Sequence, residues 1–110
     1  MTPAATVSVV INTFNRADVL PRALESLEWI AYSPGFEVVV VDGPSTDTTS
    51  EILDHWSPRL KVGTCPLANL SMSRNIGIAM ASGDIVAFMD DDAVAEPEWL
   101  HQLAQPFADD

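Results

Sequence analysis

The sequence predicts an α/β fold with three α/β/α layers and a mainly parallel sheet, and three observations carry that prediction. Short apolar runs alternate with helical patterns in the order β-α-β-α-(β)-α-β-α. About 30 residues separate the first run from the second, the span of a strand–helix–strand crossover. Each run is rich in β-branched or aromatic residues and stops at polar ones, as strands buried on both faces do.

The elements follow in order. Val7–Ile11 is the first expected strand. Asp18 is then placed to cap a helix with Pro21 in its first turn, and Leu20, Ala23, Leu24, Leu27 and Ile30 fall on one face. Pro34-Gly35 ends that unit and Glu37–Val41 forms the second strand. Thr48, with Glu51 three residues on, has the form of a capping box opening a helix through Ile52, Leu53 and Trp56, which Pro58 stops. Lys61-Val62 suits a short edge strand. Leu70–Ala81 repeats a helical pattern, with Gly83 as its expected C-terminal cap. Ile85–Met89 is the last strand, and Pro97 opens a final helix that Pro106 is expected to interrupt. Trp29, Trp56 and Trp99 sit at helical positions and are expected to pack.

Composition narrows the function. The chain has 110 residues, 47% of them hydrophobic, which suits one domain spanning residues 1–110. Sixteen acidic against five basic residues, a net charge of −11, argue against nucleic acid or anionic membrane as a partner. Cys65 has no second cysteine, which excludes a disulfide scaffold and suits a reducing compartment. The apolar runs are too short to span a bilayer. Residues 1–6 lack the charged and apolar regions of a signal peptide, so the expected location is cytoplasmic, or peripheral to a membrane through other parts. The charge is uneven: residues 1–74 carry all five basic and eight acidic residues, and residues 75–110 carry eight acids and no Lys or Arg.

Ligands of an open parallel sheet gather beyond the carboxyl ends of its strands. Here those ends are Asn12-Thr13-Phe14-Asn15-Arg16, Asp42-Gly43-Pro44-Ser45-Thr46-Asp47 and Asp90-Asp91-Asp92. Three adjacent carboxylates repel one another unless a cation or solvent relieves them. They read either as a solvated acidic loop or as ligands for a hard divalent ion such as Mg²⁺ or Mn²⁺. Asp42 reads either as a turn former or as an acceptor for a nucleoside base or ribose. Arg74 and Arg16 read either as surface residues or as forks for a diphosphate. Ser45, Thr46 and Asp47 read as turn and cap residues, and His55, His101 and Cys65 are not expected to be ligands.

Three segments together resemble the family 2 glycosyltransferases of the GT-A fold: Val7-Ser8-Val9-Val10-Ile11-Asn12-Thr13-Phe14-Asn15-Arg16, Val38-Val39-Val40-Val41-Asp42-Gly43-Pro44-Ser45-Thr46-Asp47, and Ser73-Arg74-Asn75-Ile76-Gly77 leading to Gly83-Asp84-Ile85-Val86-Ala87-Phe88-Met89-Asp90-Asp91-Asp92. The resemblance implies a Rossmann-like GT-A half-domain and a metal-dependent, inverting transfer of a sugar from a nucleotide-diphosphate donor, a UDP- or GDP-sugar, to an acceptor hydroxyl. It implies that Thr13, Phe14, Asn15 and Arg16 line the nucleoside pocket and that Asp42 holds the base. It places Arg74 at the nucleotide and makes Asp90-Asp91-Asp92 the D-x-D motif. Asp92 is then the metal ligand, with Asp90 assisting it or, like Asp91, holding ribose, and the cofactor is Mn²⁺ or Mg²⁺. Family members commonly carry a second acid after the second strand, where this chain has Gly43-Pro44.

Such enzymes run well beyond this length, with the acceptor site and catalytic base in their second half. The expectation is therefore a donor-binding half. It carries no catalytic base, its sugar, lipid or protein acceptor is undefined, and a second subunit or more chain would complete it. Two alternatives stand beside this: a catalytically silent truncated remnant, and a receiver-like Mg²⁺-binding signalling module. The module is disfavoured by Asn12-Thr13, where an acidic pair would follow the first strand. No Gly-rich turn follows that strand either, which disfavours dinucleotide binding.

Overall fold

The computed structural model describes residues 5–108. Its elements run β1 (Val7–Thr13), α1 (Leu20–Leu27), β2 (Phe36–Asp42), α2 (Thr49–Trp56), β3 (Lys61–Thr64), α3 (Leu70–Met80), β4 (Ile85–Asp90) and α4 (Trp99–Ala108). The four strands form one parallel sheet in the order β3-β2-β1-β4.

Alternate strand residues face opposite layers. Val7, Val9, Ile11, Val38, Val40, Ile85, Ala87 and Met89 pack against Leu20, Leu24 and Leu27 of α1, Leu53 of α2 and Leu100 of α4. Val10, Val39 and Val41 face the other way, onto Met72, Ile76 and Met80 of α3. Three helices thus cover one face and α3 alone lies on the other, giving the three expected layers. Helix α3 lies so close to the sheet that a Cβ on Gly77 would overlap Val10 Cγ1. Only glycine fits that approach.

Several local expectations are corrected. The strands run on into polar residues, so Asn12, Thr13, Asp42 and Asp90 are strand residues rather than followers of strands. Pairing carries them there: Thr13 is in register with Asp42, and Asn12 with Asp90. Val19, not Asp18, occupies the N-cap of α1, which has no side-chain cap. Instead the Arg16 carbonyl accepts hydrogen bonds from the Val19 and Leu20 amides.

Thr48 stands at the N-cap of α2 without a side-chain hydrogen bond, and Asp47 does the capping by accepting from the Thr49 amide. Helix α3 ends at Ala81 in an extended conformation, and Gly83 serves a different purpose. A Cβ there would come within 2.7 Å of the Ser8 nitrogen. Pro106 lies inside α4 instead of breaking it. Of the three tryptophans, Trp56 and Trp99 pack on the core, whereas Trp29 is 73% exposed.

Candidate functional site

The register brings the carboxyl ends of β1, β2 and β4 level, so their polar residues share one edge of the sheet. From β1, the buried Thr13 donates its hydroxyl to Asp91 Oδ2 at 3.0 Å. Asn12 Nδ2 donates to Ser73 Oγ at 2.7 Å, tying β1 to the first turns of α3.

The chain then turns at Asn15, whose φ of 51° is a left-handed conformation that asparagine tolerates well. Two contacts hold that turn. The Asn15 amide donates to Ser45 Oγ at 2.9 Å, and Asn15 Oδ1 accepts from the Thr46 amide at 2.7 Å. Ser45 in turn donates to Asp42 Oδ1 at 2.6 Å. Asp47 closes the same seam by accepting from the Ala17 amide at 3.1 Å. The Thr49 hydroxyl, opposed by partial desolvation and helped by the Ala17 and Thr49 amides, holds the Asp47 carboxyl below its usual range. The loops after β1 and β2 are therefore laced into one ledge.

The aspartate triplet stands beside this ledge. Asp91 is largely enclosed, and Asp90 and Asp92 are exposed. Arg16 Nη2 lies 3.3 Å from Asp92 Oδ2 and 4.0 Å from Asp91 Oδ1. Arg74 on α3 points its guanidinium over the Phe88 ring, 5.8 Å from the centroid.

Beside a cleft of about 300 Å³ that runs from Asp90 to Trp99 and Gln102, two further clefts open on this edge. One, of about 290 Å³, is mostly apolar and lies between Phe14, Gly43 and the Leu67–Leu70 segment, with Asn12 and Ser73 at its floor. The other, of about 270 Å³, holds Arg16, Arg74 and Asp90–Asp92, and shares Asn12 and Leu70 with the first. An apolar slot beside a charged one complements a ligand with a ring system at one end and an anionic group at the other. A larger cavity of about 600 Å³ sits at the opposite edge, near Leu24, Phe36 and Arg59, away from these residues.

All the residues singled out in the sequence thus meet at one edge, but in two roles. Thr13, Phe14, Arg16, Arg74 and Asp90–Asp92 line the clefts. Asn15 and Asp42 line neither and instead hold the ledge together. Asn12 and Ser73 fell within segments named in the sequence, but no role was given to either, because nothing local shows that an asparagine at a strand end reaches a helix 61 residues later.

Among the described residues no three His, Cys, Asp or Glu side chains converge as a closed metal cage. The donor set is nevertheless suitable for a hard divalent cation. Exposed carboxylate oxygens on an open edge match an ion that takes one or two carboxylates and completes its shell with water and phosphate.

Comparison with known proteins gives the family and the fold. The family model described as Glycosyl transferase family 2 matches residues 8–110. Validoxylamine A glucosyltransferase of Streptomyces hygroscopicus subsp. limoneus is 35% identical over 102 residues, 88% of this chain and 22% of its own length. Glucosyl-dolichyl phosphate glucuronosyltransferase of Haloferax volcanii is 34% identical over 105 residues, 92% of this chain and 34% of its own. The chain therefore spans about a third or less of these relatives. Among solved structures, S. aureus TarS 1-349 in complex with UDP-GlcNAc superposes with a TM-score of 0.84 at 30% identity, covering 94% of this chain and 31% of that one. The mannosyltransferase PcManGT from Pyrobaculum calidifontis, in complex with GDP-Man and Mn²⁺, gives a TM-score of 0.73 at 27% identity, covering 87% of this chain and 32% of that one.

Proposed function

The chain belongs to glycosyl transferase family 2, and from that membership we propose that it is the donor-binding part of a metal-dependent, inverting glycosyltransferase using a UDP- or GDP-sugar. The observation that carries the reading is the pairing of an apolar cleft with a charged one at the carboxyl edge of the sheet. TarS and PcManGT, which share the fold, have been captured with UDP-GlcNAc and with GDP-Man and Mn²⁺ respectively, which supports a nucleotide sugar as ligand. Family membership also removes the basis for the receiver-like alternative.

In this reading the base and ribose enter the apolar cleft beside Phe14, over the Asn12 and Ser73 side chains. Arg74 and Arg16 face the diphosphate, where a planar guanidinium can bind two oxygens at once. Asp42 acts through Ser45 and Asn15 by shaping the rim of the nucleoside cleft. Asp91, fastened by Thr13, keeps the strand end in place for a ribose hydroxyl. Asp92, with Asp90, holds Mn²⁺ or Mg²⁺, which when bound supplies positive charge to stabilise the departing nucleoside diphosphate. None of the described residues is assigned as catalytic base or to an acceptor site.

Calorimetry with UDP and GDP, with and without Mn²⁺, tests the proposal. Metal-dependent binding that Asp92→Ala abolishes supports it. Binding indifferent to metal and to Asp92→Ala removes the D-x-D assignment. A folded chain that binds neither nucleotide favours a silent remnant. Among the described residues no helix is long and apolar enough to cross a membrane.

A further inference from the structure

Resting on the donor-binding reading above, we propose that Arg16 is the resident counter-ion of the Asp91–Asp92 edge and exchanges places with the divalent cation when a nucleotide diphosphate arrives. The chain around Arg16 is tied down on both sides. Asn15 before it is held in its left-handed turn by Ser45 and Thr46, and the Arg16 carbonyl accepts the first two amide hydrogen bonds of α1. Its guanidinium is thereby delivered to the triplet, 3.3 Å from Asp92 and 4.0 Å from Asp91.

The two cations of the charged cleft differ in what they touch. Arg16 contacts carboxylates, whereas Arg74 rests over Phe88 and makes no ion pair among the described residues. The Arg16–Asp92 pair is also exposed, at 46% and 56% of the two side chains, so water screens it and it holds weakly. It sets one positive charge against two of the three adjacent carboxylates and is weak enough to yield. Asp91 remains in place when Arg16 leaves, because Thr13 holds it separately.

The consequence is coupling between two ligands. A cation arriving alone must displace Arg16 and leave it beside a metal of like charge. With a diphosphate present, the guanidinium finds new partners in the phosphate oxygens and the carboxylates are left to the metal. Metal and nucleotide then each strengthen the binding of the other by the same factor.

The test is Mn²⁺ binding to the full chain by electron paramagnetic resonance, with and without UDP or GDP, corrected for Mn²⁺ held by free nucleotide. It is run on the unaltered chain, Arg16→Gln and Arg74→Gln, each first checked for native circular dichroism. Arg16→Gln is expected to bind Mn²⁺ alone about two- to fivefold more tightly. The tightening of Mn²⁺ by nucleotide, expected at about fivefold or more in the unaltered chain, falls to less than half in that variant. Arg74→Gln makes the same change in charge and raises Mn²⁺ affinity less. Unchanged or weaker Mn²⁺ binding by Arg16→Gln, or an equal gain in Arg74→Gln, overturns the counter-ion role while leaving the donor-binding reading intact. Absence of Mn²⁺ binding in the unaltered chain, with or without nucleotide, overturns both.

Discussion

Glu37 at the amino edge of the sheet and Asp92 at its carboxyl edge each face one cation, yet their surroundings have little else in common. Glu37 is gripped on every side. Lys61 Nζ lies 2.8 Å from Oε1, and Oε2 accepts from Ser8 Oγ at 2.6 Å and the Ser82 amide at 2.7 Å. Burial pulls its pKa up, but the hydrogen bonds from Lys61, Ser8 and Ser82 outweigh burial and hold it down at about 2. The Gly83 amide then donates to Ser8 Oγ, so this one carboxylate pins β1, β2, β3 and the turn before β4 together. Asp92 has a single loose partner and is more than half exposed. The difference teaches that the fold supplies partners to the carboxylates it needs for itself. At the other edge Asp42, Asp47 and Asp91 are likewise held, and Asp90 and Asp92 are left exposed.

Variants can break or sharpen this contrast, and their expected effects on stability descend in a definite order. Gly77→Val removes the close approach of α3 that both edges depend on, and should cost about 3 kcal/mol in chemical denaturation. A cost under about 1 kcal/mol would show that α3 can slide away from Val10. Glu37→Gln should cost about 2 kcal/mol, since it weakens charge-assisted hydrogen bonds in a partly buried cluster.

The same carboxylate sets a pH dependence. Its folded pKa of about 2 lies below the ordinary 4.5, so its contribution is complete above 4.5 and is lost as pH falls from there towards 2. Denaturation midpoints across that window should fall in the unaltered chain and fall less steeply in Glu37→Gln, where the lowered Asp47 carboxyl still contributes. Equal slopes in the two proteins would remove Glu37 as the cause.

Smaller effects belong to the carboxyl edge. Thr13→Val keeps the shape of β1 but frees Asp91, and should cost about 1 kcal/mol. Asp92→Asn should change stability by no more than about 0.5 kcal/mol, because it removes a screened pair and relieves like-charge crowding together. For nucleotide and Mn²⁺ binding the order reverses, with Asp92→Asn weakening it at least about tenfold and Glu37→Gln leaving it unchanged. A large stability loss in Asp92→Asn would make the triplet structural and erase the contrast between the edges.

Much of this was legible along the chain because it depends on near neighbours. Val38–Val41 declares a buried strand, Leu20, Ala23, Leu24 and Leu27 declare one helix face, and Asp90-Asp91-Asp92 marks the polar end of the last strand. Where local rules competed with distant partners they failed. Thr48 has the pattern of a capping box, but Asp47 caps α2 because its other oxygen can reach Ala17, 30 residues away. Gly83 has the form of a helix cap, but what it accommodates is Ser8, on a strand 75 residues earlier. Trp29 sits at a helical position, but α1 ends at Leu27 and leaves the indole in solvent.

The sequence by itself determined the α/β layering, the strand count and the kinship of the chain, since periodicity, β-branched runs and ordered motifs are properties of adjacent residues. Only the tertiary structure decided which polar residues line the clefts and which bond to one another beside them. Asn15 and Asp42 belong to the ledge, Thr13 to Asp91, and Arg16 to Asp92, because parallel pairing in register brings level side chains up to 78 residues apart. A carboxylate's role depends on what stands within about 4 Å of it, and in a parallel sheet those neighbours come from other strands.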